Sequence, residues 1–137
     1  MTAHELAVRV YYEDTDAAGI VYHSNYLKFA ERGRTELLRG LGFDHRHLLE
    51  SHGLVFTVAR CIIDYLRAAR LDDLLYVRTE VAGLGGARLS LTQTVVRRDI
   101  PLAHLQVTLA VVDAATLRPT RLPEAVRRAF ANATPDR

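Results

Sequence analysis

Residues 24–40 read SNYLKFAERGRTELLRG and carry the clearest helical pattern in the chain. Tyr26, Phe29, Ala30, Gly33 and Leu37 recur at steps of three and four residues, which places them on one face of an α-helix. A helix of this length is not stable alone in water, so its apolar face must be covered by another element. Gly33 lowers helix propensity, and its place in the apolar face predicts a close approach to a sheet.

The segments on either side of this helix are predicted to form the strands that cover its apolar face. Residues 6–12 alternate between apolar and polar side chains, as in a strand with one buried face. After the helix, four runs separated by short turns predict antiparallel strands: residues 54–65, 74–84, 87–98 and 102–113. Residues 44–51 and 123–132 are predicted as short helices, the first capped by Asp44 and ended by Gly53. The sequence therefore predicts a single α+β domain over residues 1–137, with one long helix covered by a five-stranded antiparallel sheet.

Composition narrows the functional classes. The chain has 137 residues, of which 49% are hydrophobic and 25% charged, as in an ordinary globular domain. A formal net charge of +2 is too small to indicate a nucleic-acid-binding protein. Cys61 is the only cysteine, which excludes a disulfide framework, and its apolar neighbours predict a buried thiol.

Targeting signals are not evident in the sequence. No apolar stretch is long enough to span a bilayer. Met1–Glu5 lacks the basic and apolar regions of a signal peptide. We therefore expect a cytoplasmic protein without a membrane span.

The segment between the first strand and the long helix breaks all periodicity and contains Asp14 and Asp16. A helix N-terminus presents unpaired backbone N–H groups that suit an oxyanion. A carboxylate beside such groups provides the two features needed for attack on an acyl carbonyl: a nucleophile or base, and donors that stabilise the oxyanion. By spacing alone, the two acids could instead serve only to cap the helix or to bond the loop.

The chain resembles the YbgC-type acyl-CoA thioesterases, in the 4-hydroxybenzoyl-CoA thioesterase branch of the hot-dog superfamily. The resemblance is strongest over residues 8–36, where VRVYYEDTDAAGIVYHSNY leads into the long helix, and the rest of the chain agrees in the order and length of its elements. The resemblance implies the hot-dog fold, in which a sheet wraps around a central helix. It also implies hydrolysis of a CoA thioester to free acid and CoA, with no metal and no cofactor besides the substrate's own CoA. Relatives are associated with the Tol-Pal system of Gram-negative bacteria.

The resemblance assigns roles to particular residues. Asp16 matches the catalytic aspartate, which acts as a nucleophile or as a general base on water. His23 stands at the helix start, where a backbone N–H polarises the thioester carbonyl and the imidazole could assist proton transfer; it could equally be a helix cap. The residues expected to bind substrate in the same segment are Gly19, Val21, Tyr22, Asn25 and Tyr26.

The CoA phosphates and the oligomeric state are further expectations. Gly86-Ala87-Arg88 keeps one basic residue of the family's phosphate-binding run, so Arg88 is the candidate there, with Arg60, Arg67 and Arg70 as alternative donors. An exposed sheet edge predicts pairing into a homodimer. The resemblance implies that such dimers often pair further into a homotetramer. Acyl-CoA is the expected substrate, and an acyl-carrier protein is a possible partner.

Other functions fit the sequence less well. A hot-dog dehydratase would carry a His-Phe-Pro-Gly signature, and a haloacid-dehalogenase phosphatase would need a longer chain with a parallel sheet. His45 and His47 are two residues apart and point to different sides of a helix, which excludes joint metal binding. Glu31 is the reserve acid, because another hot-dog branch places its base on the helix. A non-catalytic acyl-CoA or acyl-carrier-protein binding module is the alternative function.

Overall fold

Five antiparallel strands form one sheet in a computed structural model that describes residues 4–133. The ends of the predicted domain, residues 1–3 and 134–137, lie outside the described residues, as does most of the N-terminal segment examined for a signal peptide. In spatial order the strands are β1 (His4–Arg9), β3 (Leu74–Leu84), β4 (Arg88–Arg97), β5 (Ile100–Asp113) and β2 (Leu54–Tyr65). The helices are α1 (Asn25–Gly40), α2 (His45–His52) and α3 (Glu124–Ala133). The predicted α+β architecture is confirmed.

The helix α1 lies on the inner face of the sheet, packed against β1, β3 and β4. Phe29 and Ala30, on the buried face of this helix, are completely buried. At Gly33 an added Cβ would lie only 2.7 Å from Val77 Cγ1, so the glycine permits the close approach that the sequence predicts. Gln93, itself buried, donates from Nε2 to the carbonyl of Ala30 at 2.8 Å and ties the helix to β4.

The strand β2 is an edge strand, hydrogen-bonded only to β5 among the described strands. Residues 57–62 are all exposed, because α1 lies over β1, β3 and β4 and leaves the inner face of β2 open. Cys61 lies in this section, so the prediction of a buried thiol is wrong. Its apolar neighbours mark an uncovered surface instead of a core.

The helices and strands begin and end close to the limits predicted from the sequence, with two corrections. Asp44 caps α2 by accepting from the His47 amide at 2.8 Å, and Gly53 ends it at φ +63°, both as predicted. The strand β1 ends before the predicted limit, and Tyr12 is 83% exposed in a 3₁₀ turn over Tyr12–Asp14. The turn between β4 and β5 consists of Arg98 and Asp99, both with positive φ, so that β5 already begins at Ile100.

Within residues 4–133, no helix has the length and apolar character needed to cross a membrane.

Candidate active site

The loop before α1 is held together by Asp14, which is buried. Its Oδ2 accepts from the Tyr11 amide at 2.8 Å, and its Oδ1 accepts from Asn25 Nδ2 at 2.9 Å. Its carbonyl also accepts from the Tyr22 amide at 2.9 Å. Asp14 therefore links the start of the loop to its end and to the helix that follows it. This is the loop-bonding role that the sequence allowed for the two acids.

Asp16 is presented at the tip of a tight turn within this loop. Its side chain is exposed, and Oδ1 accepts from the Ala18 amide at 2.8 Å. The Gly19 amide donates to the Asp16 carbonyl at 3.0 Å, and Gly19 has a φ of +77° that favours glycine. Among the described residues, nothing donates to Asp16 Oδ2. One carboxylate oxygen is thus fixed by the turn, and the other is open to an incoming group.

A second loop supports this turn from behind. The Val21 amide donates to the Ala69 carbonyl at 2.9 Å, and the Leu71 amide donates to the Gly19 carbonyl at 3.3 Å. Asp73 anchors the second loop by accepting from the Arg70 amide at 2.8 Å and from Arg97 Nη1 at 2.7 Å. The position of the Asp16 turn therefore depends on contacts with residues some fifty positions later in the chain.

The Asp73 contacts make part of the stability depend on pH. Burial raises the pKa of Asp73, but the Arg70 amide and the Arg97 guanidinium outweigh it and hold that pKa below its ordinary value. A lowered folded-state pKa means that ionised Asp73 stabilises the fold above the unfolded pKa of about 3.9. That contribution is lost as the pH falls below about 4 and through the folded-state pKa.

Asp73→Asn should therefore lower the free energy of unfolding near neutral pH by about 1–3 kcal/mol, the contribution of hydrogen bonds to a charged group. It should also flatten the acid loss of stability, as measured by urea unfolding at neutral and acid pH. Asp72→Asn is the matched control, because Asp72 is exposed and its positive φ suits asparagine. An acid dependence in Asp73→Asn equal to that of the unmodified protein would contradict the prediction.

At the start of α1, two backbone donors are free. The Asn25 amide donates to the Tyr22 carbonyl at 2.8 Å and closes the first turn. The N–H groups of His23 and Ser24 donate to no acceptor in residues 4–133. They lie at the positive end of the helix dipole, where a developing oxyanion is stabilised.

A cleft of about 300 Å³ opens beside these donors. The His23 ring is exposed and meets the Tyr65 ring edge-on, with centroids 6.2 Å apart. Tyr65 Oη donates to the His23 carbonyl at 3.2 Å. The lining is completed by Ile20, Val21, Tyr26 and the segment 66–68. The cleft therefore combines a helix start with the end of β2.

Tyr26 forms the floor of this cleft and is nearly fully buried. Its Oη accepts from the Ala69 amide at 3.1 Å. Burial raises the pKa of Tyr26, although the Ala69 hydrogen bond opposes this rise. The ring is therefore a neutral, fixed wall that shapes the cleft.

Of the residues predicted from the sequence, His23, Val21 and Tyr26 line the cleft. The Tyr22 ring is tilted against the His23 ring, with their centroids 4.5 Å apart. Gly19 and Asp16 occupy the adjacent turn, and Asp16 is not part of the cleft lining. Asn25 is buried and directed to Asp14. Sequence reasoning missed Tyr65, Leu66 and Ala68, and named Arg67 only as an alternative donor to the CoA phosphates. The only signal for the missed residues was an aromatic residue at the end of a predicted strand.

Comparison with known proteins identifies the family. Residues 10–130 match the model of the thioesterase-like superfamily. The chain belongs to this superfamily. It is 49% identical over 123 residues to the acyl-CoA thioesterase YbgC of Haemophilus influenzae, and the match covers 90% of each chain. The predicted resemblance to the YbgC-type branch is confirmed.

Solved structures give the same result for the fold. A probable thioesterase from Bartonella henselae superposes with a TM-score of 0.85 and 38% identity, covering 88% of this chain and 99% of that one. A thioesterase from Thermus thermophilus, crystallised with coenzyme A and zinc, gives a TM-score of 0.80 and 29% identity, covering 94% and 92%. The hot-dog fold expected for a member of this superfamily is confirmed.

Arg88 lies far from the cleft within this thioesterase-fold chain. Tyr65 pairs with Ala103, and Ala103 pairs with Val95 on β4. Arg88 precedes Val95 by seven residues, a distance of about 24 Å along a strand. Arg88 is exposed, and its guanidinium contacts no other side chain in the described range. A single chain therefore does not bring Arg88 to the His23 cleft.

Potential metal ligands do not converge in this superfamily member. Within residues 4–133, no three His, Cys, Asp or Glu side chains form a group that could hold an ion. His45 and His47 are both exposed, as the sequence predicts, and they bond to Thr35 and Ser51 respectively. The His23 imidazole and the free amides lie at the cleft, and the Asp16 carboxylate lies in the adjacent turn.

Proposed function

We propose that this protein hydrolyses acyl-CoA thioesters to a free carboxylic acid and CoA. The observation that carries the proposal is the pair of free N–H groups at His23 and Ser24, placed beside a cleft, with the Asp16 carboxylate in the loop that leads into the same helix. The relative in Haemophilus influenzae is an acyl-CoA thioesterase, and the similar Thermus thermophilus thioesterase was crystallised with coenzyme A. Both support CoA thioesters as the substrate class.

In this mechanism the thioester oxygen accepts hydrogen bonds from the two free amides, which polarise the carbonyl carbon. As a general base, Asp16 takes a proton from water while the water oxygen attacks that carbon. As a nucleophile, Asp16 forms a mixed anhydride that water then hydrolyses. In both routes the C–S bond breaks, and the CoA thiolate leaves and is protonated, with His23 as the proposed donor. The products are one acid and one CoA.

The remaining predicted residues have supporting roles in this proposal. Gly19 sets the Asp16 turn, and Val21, Tyr22 and Tyr26 shape the cleft. Asn25 holds Asp14 and thereby the loop. An acyl-CoA substrate would place the enzyme in the cytoplasm. The association with Tol-Pal stays a prediction.

We further propose that the working site is completed by a second copy of the chain. Asp16 stands outside the cleft lining, and Arg88 is about 24 Å along β4 from the level of Tyr65. The long exposed edge of β2 carries unpaired backbone groups that favour pairing with another strand. A homodimer joined at β2, or a tetramer built from two such dimers, would bring one chain's Arg88 toward its partner's cleft.

Arg88→Ala should raise KM for acyl-CoA by about tenfold, because one guanidinium–phosphate contact is lost. The same variant should leave KM for an acyl-pantetheine thioester, which lacks the nucleotide, within about twofold. Arg46→Ala is the control, since Arg46 is an equally exposed arginine on α2, outside both β2 and β4. Equal changes for both substrates would remove Arg88 from phosphate binding.

A thiol-release assay on a panel of acyl-CoA substrates tests the function itself. The enzyme should release one CoA per thioester, whereas the alternative, a non-catalytic binding module, would retain acyl-CoA and release none. Including an acyl-carrier-protein thioester in the panel tests that partner. Binding without release on every substrate would refute the proposal.

A further inference from the structure

The helix α1 and the strand β2 pack on different elements, and the exposed side chains between them form a groove beside the His23 cleft. One wall is a stripe of α1 at four-residue steps from His23, namely Leu27, Glu31 and Thr35, all exposed or half-buried. The other wall is the inner face of β2, where Tyr65 is 47% and Val58 is 54% exposed. Both ends of the groove are fixed by contacts, with Tyr65 against His23 and Val58 beside Glu31 and Thr35.

The groove ends in a cavity of about 140 Å³, here called the distal pocket. Most of its lining is hydrocarbon, contributed by both helices and strands: Leu37, Phe56, Val58, Leu89, Leu109 and Phe130. An apolar cavity of this size can hold a benzene-sized group. The distal pocket opens to the surface, so a chain that enters from the groove can reach its apolar lining.

The polar atoms around the distal pocket bond to one another. Thr35 Oγ1 shares a hydrogen bond of 3.1 Å with His45 Nε2 and lies 3.5 Å from a Glu31 carboxylate oxygen. Arg34 Nη1 donates to Gln93 Oε1 at 3.1 Å. The rest of the lining of the distal pocket is hydrocarbon, so an apolar group fits most of its surface.

We propose that this groove is the acyl channel of the proposed thioesterase and that the distal pocket selects linear acyl chains of medium length. From His23 to Glu31 the helix rises about 12 Å. An extended hydrocarbon chain advances about 1.3 Å per bond, given C–C bonds of about 1.5 Å. A thioester held at His23 would thus place its methyl end in the distal pocket with roughly eight to twelve carbons. The inference rests on the proposed function for the position of the thioester.

The test is the dependence of kcat/KM on chain length, measured with straight-chain acyl-CoA substrates from four to sixteen carbons. The unmodified enzyme should prefer about ten carbons. Val58→Phe, at an exposed position that tolerates a larger side chain, should fill the pocket and move the preference two to four carbons shorter. Its kcat/KM for the ten-carbon substrate should fall about tenfold or more, because each excluded methylene loses roughly fourfold in binding. The four-carbon substrate should change less than about twofold.

Two further variants separate pocket filling from general damage. Thr57→Phe adds the same ring to the neighbouring exposed position on the opposite face of β2 and should leave the chain-length profile unchanged. Phe56→Leu enlarges the pocket and should move the preference toward longer chains. Opposite shifts in Val58→Phe and Phe56→Leu cannot both result from lost stability.

The outcomes distinguish this inference from the function on which it rests. Hydrolysis of no acyl-CoA by the unmodified enzyme would refute both. Hydrolysis with a preference for four carbons or for aromatic acyl groups would overturn the acyl channel alone. An unchanged chain-length profile in Val58→Phe would show that the substrate does not occupy the groove. If this variant changed its oligomeric state instead of its profile, another protein chain would be the occupant.

Discussion

Asp16→Asn should reduce kcat for acyl-CoA hydrolysis by about 10²–10⁴-fold, the range contributed by a positioned general base. The loss would be larger if Asp16 is the nucleophile, because an amide cannot form the anhydride. The fold should be unaffected, since an asparagine Oδ1 can still accept from the Ala18 amide that fixes the turn. Steady-state thiol release gives the rate, and thermal unfolding checks the fold.

Asp14→Asn is the matched comparison for that result. Both oxygens of Asp14 accept hydrogen bonds in a buried site, from the Tyr11 amide and from Asn25. An asparagine amide nitrogen would face one of these donors, so this variant should lose stability, with an unpaired buried group costing about 1–3 kcal/mol. The two neighbouring acids should thus separate into one needed for turnover and one needed for the loop.

Activity close to normal in Asp16→Asn would contradict its catalytic role. Glu31 would then be the next acid to test, through Glu31→Gln, because it lies on the exposed side of α1 beside the groove. Loss of turnover in Glu31→Gln with a normal Asp16→Asn would move the general base from the loop to the helix.

Phe29→Ala should lower the free energy of unfolding by about 3–5 kcal/mol, the usual loss for a buried phenylalanine. Phe29 has no exposed surface and lies where α1 meets the sheet, with its ring 6.2 Å from that of Tyr26. Alanine would leave a cavity that the paired strands beneath cannot close. Urea unfolding, at one protein concentration because assembly also adds stability, measures the change.

Leu27→Ala is the control on the same helix. Leu27 is 42% exposed, so its truncation should change stability by less than about 1 kcal/mol. Equal losses in the two variants would show that α1 is not held by the buried face described above. A small loss of unfolding free energy in Phe29→Ala would indicate that α1 moves toward the sheet and fills the cavity.

The sequence predicts the site only where its information is local. The helical face of α1, the Asp44 cap and the loop containing Asp14, Asp16 and His23 all follow from spacing or motif within a few turns of chain. The prediction at Cys61 was wrong because it, too, used only local information. Apolar neighbours show that a strand has a hydrophobic face but do not show whether anything covers it.

Local periodicity and a contiguous motif by themselves determined the elements of this protein, its family and its leading catalytic candidates. Only the tertiary structure decided that Tyr65 meets His23, which lies 42 residues earlier, and that Arg88 stands far from both. It also left β2 uncovered and so created the groove with the distal pocket. Strand order and helix placement arise from burial of surfaces that are distant in sequence, and such pairings are absent from any local pattern.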